Sequence, residues 1–233
     1  MVSATQISRR TLLVAEPWPP DDTEESVVGT DFHQMTITNL RLGINEVART
    51  LTAPGGPVPW QALGQIMVSG FSRPDGSRYT TFPDVFVYRH PIDQQRGSLA
   101  LALDGPPALI VEVLSDATYD SDLDLEQGKG YSYAQAGVRE YLTIDPTGHY
   151  LPDGVRAWRL ADGGYLPWQA DEQGRWQSRE LELAIALEGT LAAVYTRGGR
   201  RMLREGEIEA ERARMREELE RLRRLLDERG GQA

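Results

Sequence analysis

One stretch, residues 108–146, constrains the fold of this chain more than any other: ALIVEVLSDATYDSDLDLEQGKGYSYAQAGVREYLTIDP. It opens on an apolar run, Ala108–Leu114, that is interrupted only by Glu112. Such runs are typical of buried strands, and the preceding Pro106-Pro107 ends whatever comes before. A carboxylate in a buried strand is costly unless another group pairs with it or binds it. Glu112 is therefore the first residue that any function must explain.

A helix and a second strand follow that run. Asp122 or Asp124 can cap the helix, and Gly137 is a natural C-terminal stop. The second strand is predicted over Glu140–Ile144, before Asp145-Pro146. Strand, helix and strand in so short a stretch form a βαβ-type unit. We therefore predict that the two strands are parallel or near neighbours in one sheet.

The predicted helix carries Lys129, which is the only lysine in the chain; the other 24 of its 25 basic residues are arginines. Lysine and arginine are not interchangeable where a compact ammonium is needed at close range. One lysine in a chain of this length can also fall anywhere by chance. Its place between two glycines, next to the strand that carries Glu112, favours a function.

Asp84 is a second acidic residue at a strand position. It follows Pro83 in residues 79–88, YTTFPDVFVY, at the start of a strand predicted over residues 85–88. Taken alone, it is an ordinary strand-start residue. Taken with Glu112 and Lys129, it completes a set in which carboxylates can hold Mg²⁺ and a lysine can orient an attacking hydroxide. These parts are the ones that metal-assisted displacement at phosphorus needs.

Together, these residues resemble the Uma-type family of putative restriction endonucleases, within the PD-(D/E)XK nuclease superfamily, over roughly residues 24–170. The matching positions are Pro83-Asp84, residues 110–115 with Thr118, Lys129, Tyr133, Gly137-Val138, Glu140-Tyr141 and Asp145-Pro146. The resemblance implies a restriction-endonuclease-like α/β fold, a mixed central sheet flanked by helices.

The resemblance also implies a Mg²⁺- or Mn²⁺-dependent site. Asp84 and Glu112 would be the metal ligands, and Lys129 would be the catalytic lysine, moved from the strand to the helix. Leu114 occupies the usual strand position of that lysine. The acidic N-terminal segment of the family corresponds to residues 25–29, ESVVG, which implies Glu25 as a further, peripheral catalytic acid.

The C-terminal residues differ in kind from the rest, and we divide the chain into a nuclease-like domain, 1–198, with a loose arm at 1–24, and a helical tail, 199–233. Apolar residues recur in the tail at heptad spacing, which predicts a coiled-coil seam that pairs with a second copy or another partner. They are Ile208, Met215, Leu219, Leu222 and Leu226, with Arg212 interrupting the series. The alternative is a solvated helix with Glu–Arg pairs.

Composition limits the partners. The net charge of −10 argues against broad electrostatic binding to DNA, although Arg73, Arg78, Arg89 and Arg96 predict a local basic rim near Asp84. The chain has no cysteine, no apolar run long enough to span a membrane and no recognisable export signal, so we expect a cytoplasmic protein.

The remaining patterns predict the framework. A helix is expected over residues 30–51, with His33 solvated in its first turn, although this histidine could also orient a phosphate or a metal-bound water. Strands are expected at 65–68 and 99–103. A hairpin is expected from 155–160 and 165–168. Three tryptophans near this hairpin can stack on bases, but we favour their packing on the core: Trp158, Trp168 and Trp176.

Three functions stay open at this point. The first is a metal-dependent endonuclease that hydrolyses DNA phosphodiester bonds. The second is a non-catalytic protein on the nuclease fold that dimerises or docks on a partner through its C-terminal helix; retention of Asp84, Glu112 and Lys129 argues against it. The third, an RNA- or nucleotide-directed phosphodiesterase, would use the same metal chemistry.

Overall fold

A computed structural model describes residues 31–93 and 95–230 of the chain. The helices among these residues are α1 (Asp31–Thr50), α2 (Leu101–Asp104), α3 (Tyr119–Leu123), α4 (Lys129–Ala136) and α5 (Glu205–Gly230). The strands are β1 (Gln61–Leu63), β2 (Met67–Ser72), β3 (Arg78–Thr81), β4 (Val85–Tyr88), β5 (Ser98–Ala100), β6 (Leu109–Val113), β7 (Glu140–Ile144), β8 (Val155–Ala161), β9 (Gly164–Pro167), β10 (Trp176–Gln177), β11 (Leu183–Glu188) and β12 (Leu191–Thr196).

A six-stranded mixed sheet, in the order β1-β4-β6-β7-β8-β9, forms the centre of the fold. Strands β6 and β7 are parallel, with Glu112 opposite Thr143, and every other neighbouring pair in this sheet is antiparallel. The parallel pair and the helices between them confirm the predicted βαβ unit. The mixed α/β architecture is the restriction-endonuclease-like fold that the sequence predicts.

Side chains of β6 alternate between two buried layers, as the pleat of a strand requires. Leu109, Val111 and Val113 pack with residues of α1, β11 and β12. Ile110 packs on the opposite face with residues of β2, β3 and α4. Glu112 shares the face of Ile110, so its carboxylate lies between the central sheet and α4.

Helix α1 lies unusually close to β12, because Gly43 has no side chain. A Cβ atom at Gly43 would stand 2.8 Å from the Cβ and Cγ2 atoms of Val194. The neighbouring side chains of Leu40, Ile44 and Val47 are fully buried. The close approach therefore seals the apolar layer on the α1 face of the sheet.

Several predicted boundaries are wrong. The strand expected at 65–68 begins only at Met67, because Gln65 has a positive φ of 55°. The segment 99–103 is a short strand that turns into α2. The helix expected after Asp122 is divided into α3 and α4, and neither Asp122 nor Asp124 caps α4, whose N-cap is Gly128.

Other predictions are confirmed, and five strands were missed. Helix α1, strand β4, the β8–β9 hairpin and the left-handed stop at Gly137 match the sequence-based expectations. Strands β1 and β3 and the three-stranded sheet β10-β11-β12 were not predicted. Strands β1 and β10 have three and two residues, which is too short for a period-of-two pattern to appear.

The described contacts that anchor the C-terminal helix α5 to the body of the protein lie at its base. The backbone amide of Glu205 donates to Asn39 Oδ1 of α1 at 3.1 Å, and Arg204 pairs with Glu188 at 2.7 Å. Residues 212–224 are all exposed. Among residues 31–93 and 95–230, no helix combines the length and the apolar character that crossing a membrane requires.

The Gly43 contact leads to a stability prediction. Alanine is a better helix former than glycine by about 0.5–1 kcal/mol, but overpacking a filled interface costs about 1–3 kcal/mol. We therefore expect Gly43→Ala to lower the free energy of unfolding in urea titrations. The same change in a Val194→Ala background should be neutral or stabilising.

Gly206→Ala is the matched control, since nothing lies within 4 Å of a Cβ atom at this exposed position of α5. It should not destabilise the protein. An equal loss from Gly43→Ala in both backgrounds would show that Val194 does not limit the contact.

Candidate active site

Asp84 and Glu112 lie side by side at the start of β4 and near the end of β6, and each carboxylate accepts a hydrogen bond from a backbone amide of the other segment. The backbone amide of Asp84 donates to Glu112 Oε2 at 3.1 Å. The backbone amide of Val113 donates to Asp84 Oδ2 at 2.8 Å. Each carboxylate is thus oriented by the backbone of the other strand, and both are held on the α4 side of the sheet.

Local sequence brings Asp84 to this point. Its strand begins after Pro83, whose carbonyl oxygen accepts a hydrogen bond from the Gln65 amide at 3.0 Å. Gly64 permits that approach, because a Cβ atom there would lie 2.3 Å from the carbonyl oxygen of Asp84. The positive φ of Gln65 turns the chain at the same place. The turn at Gln65, which the sequence did not predict, therefore holds Asp84 in place.

Glu112 exposes 1% of its side chain and has charged and neutral partners. The hydroxyl of Tyr133, on α4, donates a short hydrogen bond to Glu112 Oε1. The Nζ atom of Lys129 lies 3.4 Å from the same oxygen. Burial raises the pKa of Glu112, and the nearby Lys129 opposes that rise. The buried carboxylate is therefore paired, as its position in an apolar strand required.

Lys129 is the first residue of α4, and two glycines let it approach the site. A Cβ atom at Gly128 would lie 2.3 Å from the carbonyl oxygen of Ser121, and one at Gly130 would lie 2.5 Å from Leu125 Cδ2. The α3–α4 connection can fold tightly onto the helix start only because both positions lack side chains. This packing places the ammonium over the end of β6.

Asp122 is a third buried carboxylate at this site, although its sequence context predicts only a helix cap. Lys129 Nζ lies 2.8 Å from Asp122 Oδ1, closer than to Glu112. The contact is an ion pair between two side chains that are both largely buried. Its neighbour Asp124, the other suggested cap, instead accepts turn hydrogen bonds from the amides of Glu126 and Gln127. The sequence signal for Asp122 is its position about two helical turns before Lys129, the only lysine of the chain.

His33 is buried, contrary to the prediction that it is solvated. It exposes 6% of its surface, and Nε2 lies 3.0 Å from the carbonyl oxygen of Val113 and 3.6 Å from Asp84 Oδ2. A carbonyl oxygen only accepts, so Nε2 carries the proton. Burial lowers the pKa of His33, which favours the neutral ring. The histidine braces the end of β6 behind the two acids.

Burial dominates the electrostatics of this site. It raises the pKa of Asp84 from 3.8 to about 6, and that of Asp122 to about 6, with Lys129 opposing both shifts. Burial by itself would lower the pKa of Lys129, but Asp122 and Glu112 outweigh it and the pKa is raised. Three carboxylates thus surround one ammonium, a surplus of negative charge that a cation would offset.

The other predicted site residues lie elsewhere. Glu25 lies outside the described residues. Of the proposed basic rim, Arg96 pairs with Asp104 at 2.6 Å, and Arg89 pairs with Glu180 beyond the far end of β4. These two arginines therefore do not form a rim around Asp84. The tryptophans of the hairpin region pack on the core as predicted: Trp158 and Trp168 are buried, and Trp176 is half-buried against it.

The two predicted ligands fit a small divalent cation. Within the described residues, no group of three or more acidic or histidine side chains is arranged to hold a metal ion. Mg²⁺ commonly takes only one or two protein carboxylates and keeps several waters. Asp84 retains 17% side-chain exposure, so water reaches the pair from one side, and its raised pKa marks an anion whose burial is not fully compensated.

The mixed central sheet flanked by helices has the restriction-endonuclease-like architecture. The sequence matches the model of the Uma2 family, described as "Putative restriction endonuclease", over residues 45–193. The chain belongs to this family. The match includes Asp84, Glu112, Asp122 and Lys129 and ends before the C-terminal helix. A comparison with curated proteins gave no match.

The raised pKa of Asp84 predicts how the metal-free fold responds to pH. Between about pH 4 and pH 6 the folded state binds more protons at Asp84 than the unfolded state, so its contribution to stability falls as pH rises through that window. Asp84→Asn removes this titration and keeps an oxygen that can accept from the Val113 amide. The difference in Tm between wild type and variant, in chelator, should therefore become less favourable to wild type from about pH 4.5 to pH 7.5.

The matched control is Asp75→Asn, because Asp75 lies in an exposed turn where hydrogen bonds with Ser77 lower its pKa. Because its pKa is lowered, Asp75 is largely ionised in both the folded and the unfolded state above about pH 4.5, so its effect on Tm should stay constant up to pH 7.5. A pH-independent difference in Tm for Asp84→Asn would contradict the assignment of a raised pKa to this residue.

Proposed function

We propose that this protein is a Mg²⁺-dependent endonuclease that hydrolyses DNA phosphodiester bonds, with Mn²⁺ able to replace Mg²⁺. The observation that carries the proposal is that Asp84 and Glu112 lie on adjacent strands, where the Asp84 amide donates to Glu112 and the Val113 amide donates to Asp84, with the only lysine of the chain 3.4 Å from Glu112. Membership of a family described as putative restriction endonucleases supports it. Glu25 is proposed as a further, peripheral acid.

Each residue has a chemical role in this proposal. Asp84 and Glu112 hold the metal, which when bound supplies Lewis-acid activation of water and stabilises the leaving oxygen. Lys129 orients the attacking water and offsets the negative charge that develops on the phosphate. The hydroxyl of Tyr133 donates a hydrogen bond to Glu112. Burial raises the pKa of Tyr133, so the phenol stays protonated and fixes the orientation of the carboxylate.

Exposure indicates the side from which substrate approaches. Asp84 and Lys129 each keep 17% of their side chains accessible, whereas Glu112 and Asp122 keep 1%. A phosphodiester can therefore reach the lysine and the first acid without moving the buried pair. The proposed chemistry therefore takes place on the exposed side of Asp84 and Lys129, with the buried Glu112 on the inner side of the site.

The proposed chemistry predicts a loss of DNA nicking when the site is altered. Glu112→Gln removes a ligand charge, and Lys129→Met removes the ammonium; we expect each to lower the nicking rate by about 100-fold or more. Lys129→Arg should also be slow, since a planar fork cannot replace a compact ammonium. The measurement is conversion of supercoiled plasmid to open circles in Mg²⁺ and Mn²⁺.

Asp120→Asn is the matched control, because Asp120 lies on α3 with Asp122 but is exposed, and it should nick at the wild-type rate. Parallel reactions on single-stranded DNA and RNA separate the DNA-directed reading from an RNA-directed phosphodiesterase. Purified wild type that is folded but nicks no substrate with either metal would favour the non-catalytic alternative.

We also propose that α5 pairs with a second copy of the chain. Met215, Leu219 and Leu222 are 48–57% exposed at the spacing of a coiled-coil seam. Glu–Arg pairs three or four residues apart support the flanks of the helix. A helix of this length, about 39 Å at 1.5 Å per residue, offers a long surface beyond its anchored base.

Self-pairing predicts a concentration-dependent dimer. Light scattering of wild type should give twice the chain mass of 26.0 kDa, and Leu219→Gln with Leu222→Gln should give a monomer because the seam loses its apolar contacts. Glu217→Gln with Glu220→Gln, on outward positions of the same helix, should stay dimeric. A monomeric wild type at high concentration would rule out self-pairing.

A further inference from the structure

Asp122 is the least satisfied polar group in the described site. It exposes 1% of its surface, and neither carboxylate oxygen has a partner with hydrogen-bond geometry. Lys129 and Thr118 both oppose the rise in its pKa, and the ammonium of Lys129 lies 2.8 Å from Oδ1. A buried carboxylate in this state is tolerated only because of that cation.

The backbone of Asp122 is fixed to the central sheet. The hydroxyl of Tyr141, on β7, donates to the carbonyl oxygen of Asp122 at 2.7 Å. The amide of Asp122 donates to the carbonyl oxygen of Thr118 at 2.9 Å. The carboxylate therefore has a defined place relative to β6 and β7, although it belongs to the short helix α3.

We propose that Asp122 is a positioning residue that holds the Lys129 ammonium in the site once a metal occupies Asp84 and Glu112. This inference rests on the proposed function. Glu112 already accepts from Tyr133 and from the Asp84 amide, and a metal would compete with Lys129 for its charge. Asp122 has no such competitor, and it is too buried to touch substrate. Asp122 therefore pairs with Lys129 both with and without bound metal.

The single lysine of the chain makes a direct test possible. Protein grown with ¹³C-lysine gives one ε-methylene signal in an NMR spectrum, and it belongs to Lys129. In wild type, this signal should keep the relaxation of an ordered side chain when Mg²⁺ is added. In Asp122→Asn it should become mobile on Mg²⁺ addition. Asp124→Asn, in the neighbouring turn, is the matched control and should behave as wild type.

Kinetics and melting give two further readouts. Asp122→Asn should lower the kcat for nicking about tenfold with little change in KM, and the double variant with Lys129→Met should nick no more slowly than Lys129→Met alone, because both act through the lysine. Lys129→Met leaves the Asp122 carboxylate without its cation, and Asp122→Asn leaves Lys129 with Glu112 alone. Each single variant should therefore lower Tm, whereas the double variant should recover most of that loss.

The outcomes separate the two proposals. A wild type that does not nick defeats the proposed function, while the NMR and melting results still decide the role of Asp122. An ordered Lys129 signal in Asp122→Asn with Mg²⁺, or losses in rate and Tm that simply add in the double variant, would overturn the positioning role.

Discussion

The fold is built around the burial of one carboxylate. Glu112 exposes 1% of its side chain in the middle of the central sheet, where an unpaired anion would cost several kcal/mol. The amide of Asp84, the hydroxyl of Tyr133 and the ammonium of Lys129 all reach it. These groups come from the start of β4 and from α4, so the burial of Glu112 requires the central sheet and α4 to pack in one fixed arrangement.

The same requirement explains why the site contains more acid than base. Each carboxylate that approaches Glu112 raises the pKa of its neighbours, and one ammonium cannot balance three anions. Stability alone would favour apolar residues of similar volume at such positions. The excess negative charge is therefore a cost to the metal-free fold, and it is the property that would make a divalent cation bind there.

The sequence predicted the parts of the site that break a local pattern. Glu112 stands out in an apolar strand, Lys129 is the only lysine, and Asp84 follows a proline at a strand start. Residues whose importance arises only from tertiary contact were missed or misjudged. Asp122 looked like a helix cap until the α3–α4 break folded it inward, and His33 looked solvated because the partner that buries it, Val113, is 80 residues away. Strands β1 and β10 are too short to show a periodic pattern, and they form because they pair with the longer strands β4 and β11.

The lysine and the acids belong to different layers, and this has a mechanical consequence. The carboxylates of Asp84 and Glu112 move with the central sheet, whereas the ammonium moves with α4, whose position depends on the edge-on contacts of Tyr133 with Phe71 and Tyr141, both at 5.2 Å between ring centres. Loosening of this aromatic contact would change the distance between the Lys129 ammonium and the two carboxylates. Under the proposed mechanism, warming or a conservative change at Phe71 would therefore alter the nicking rate through geometry alone.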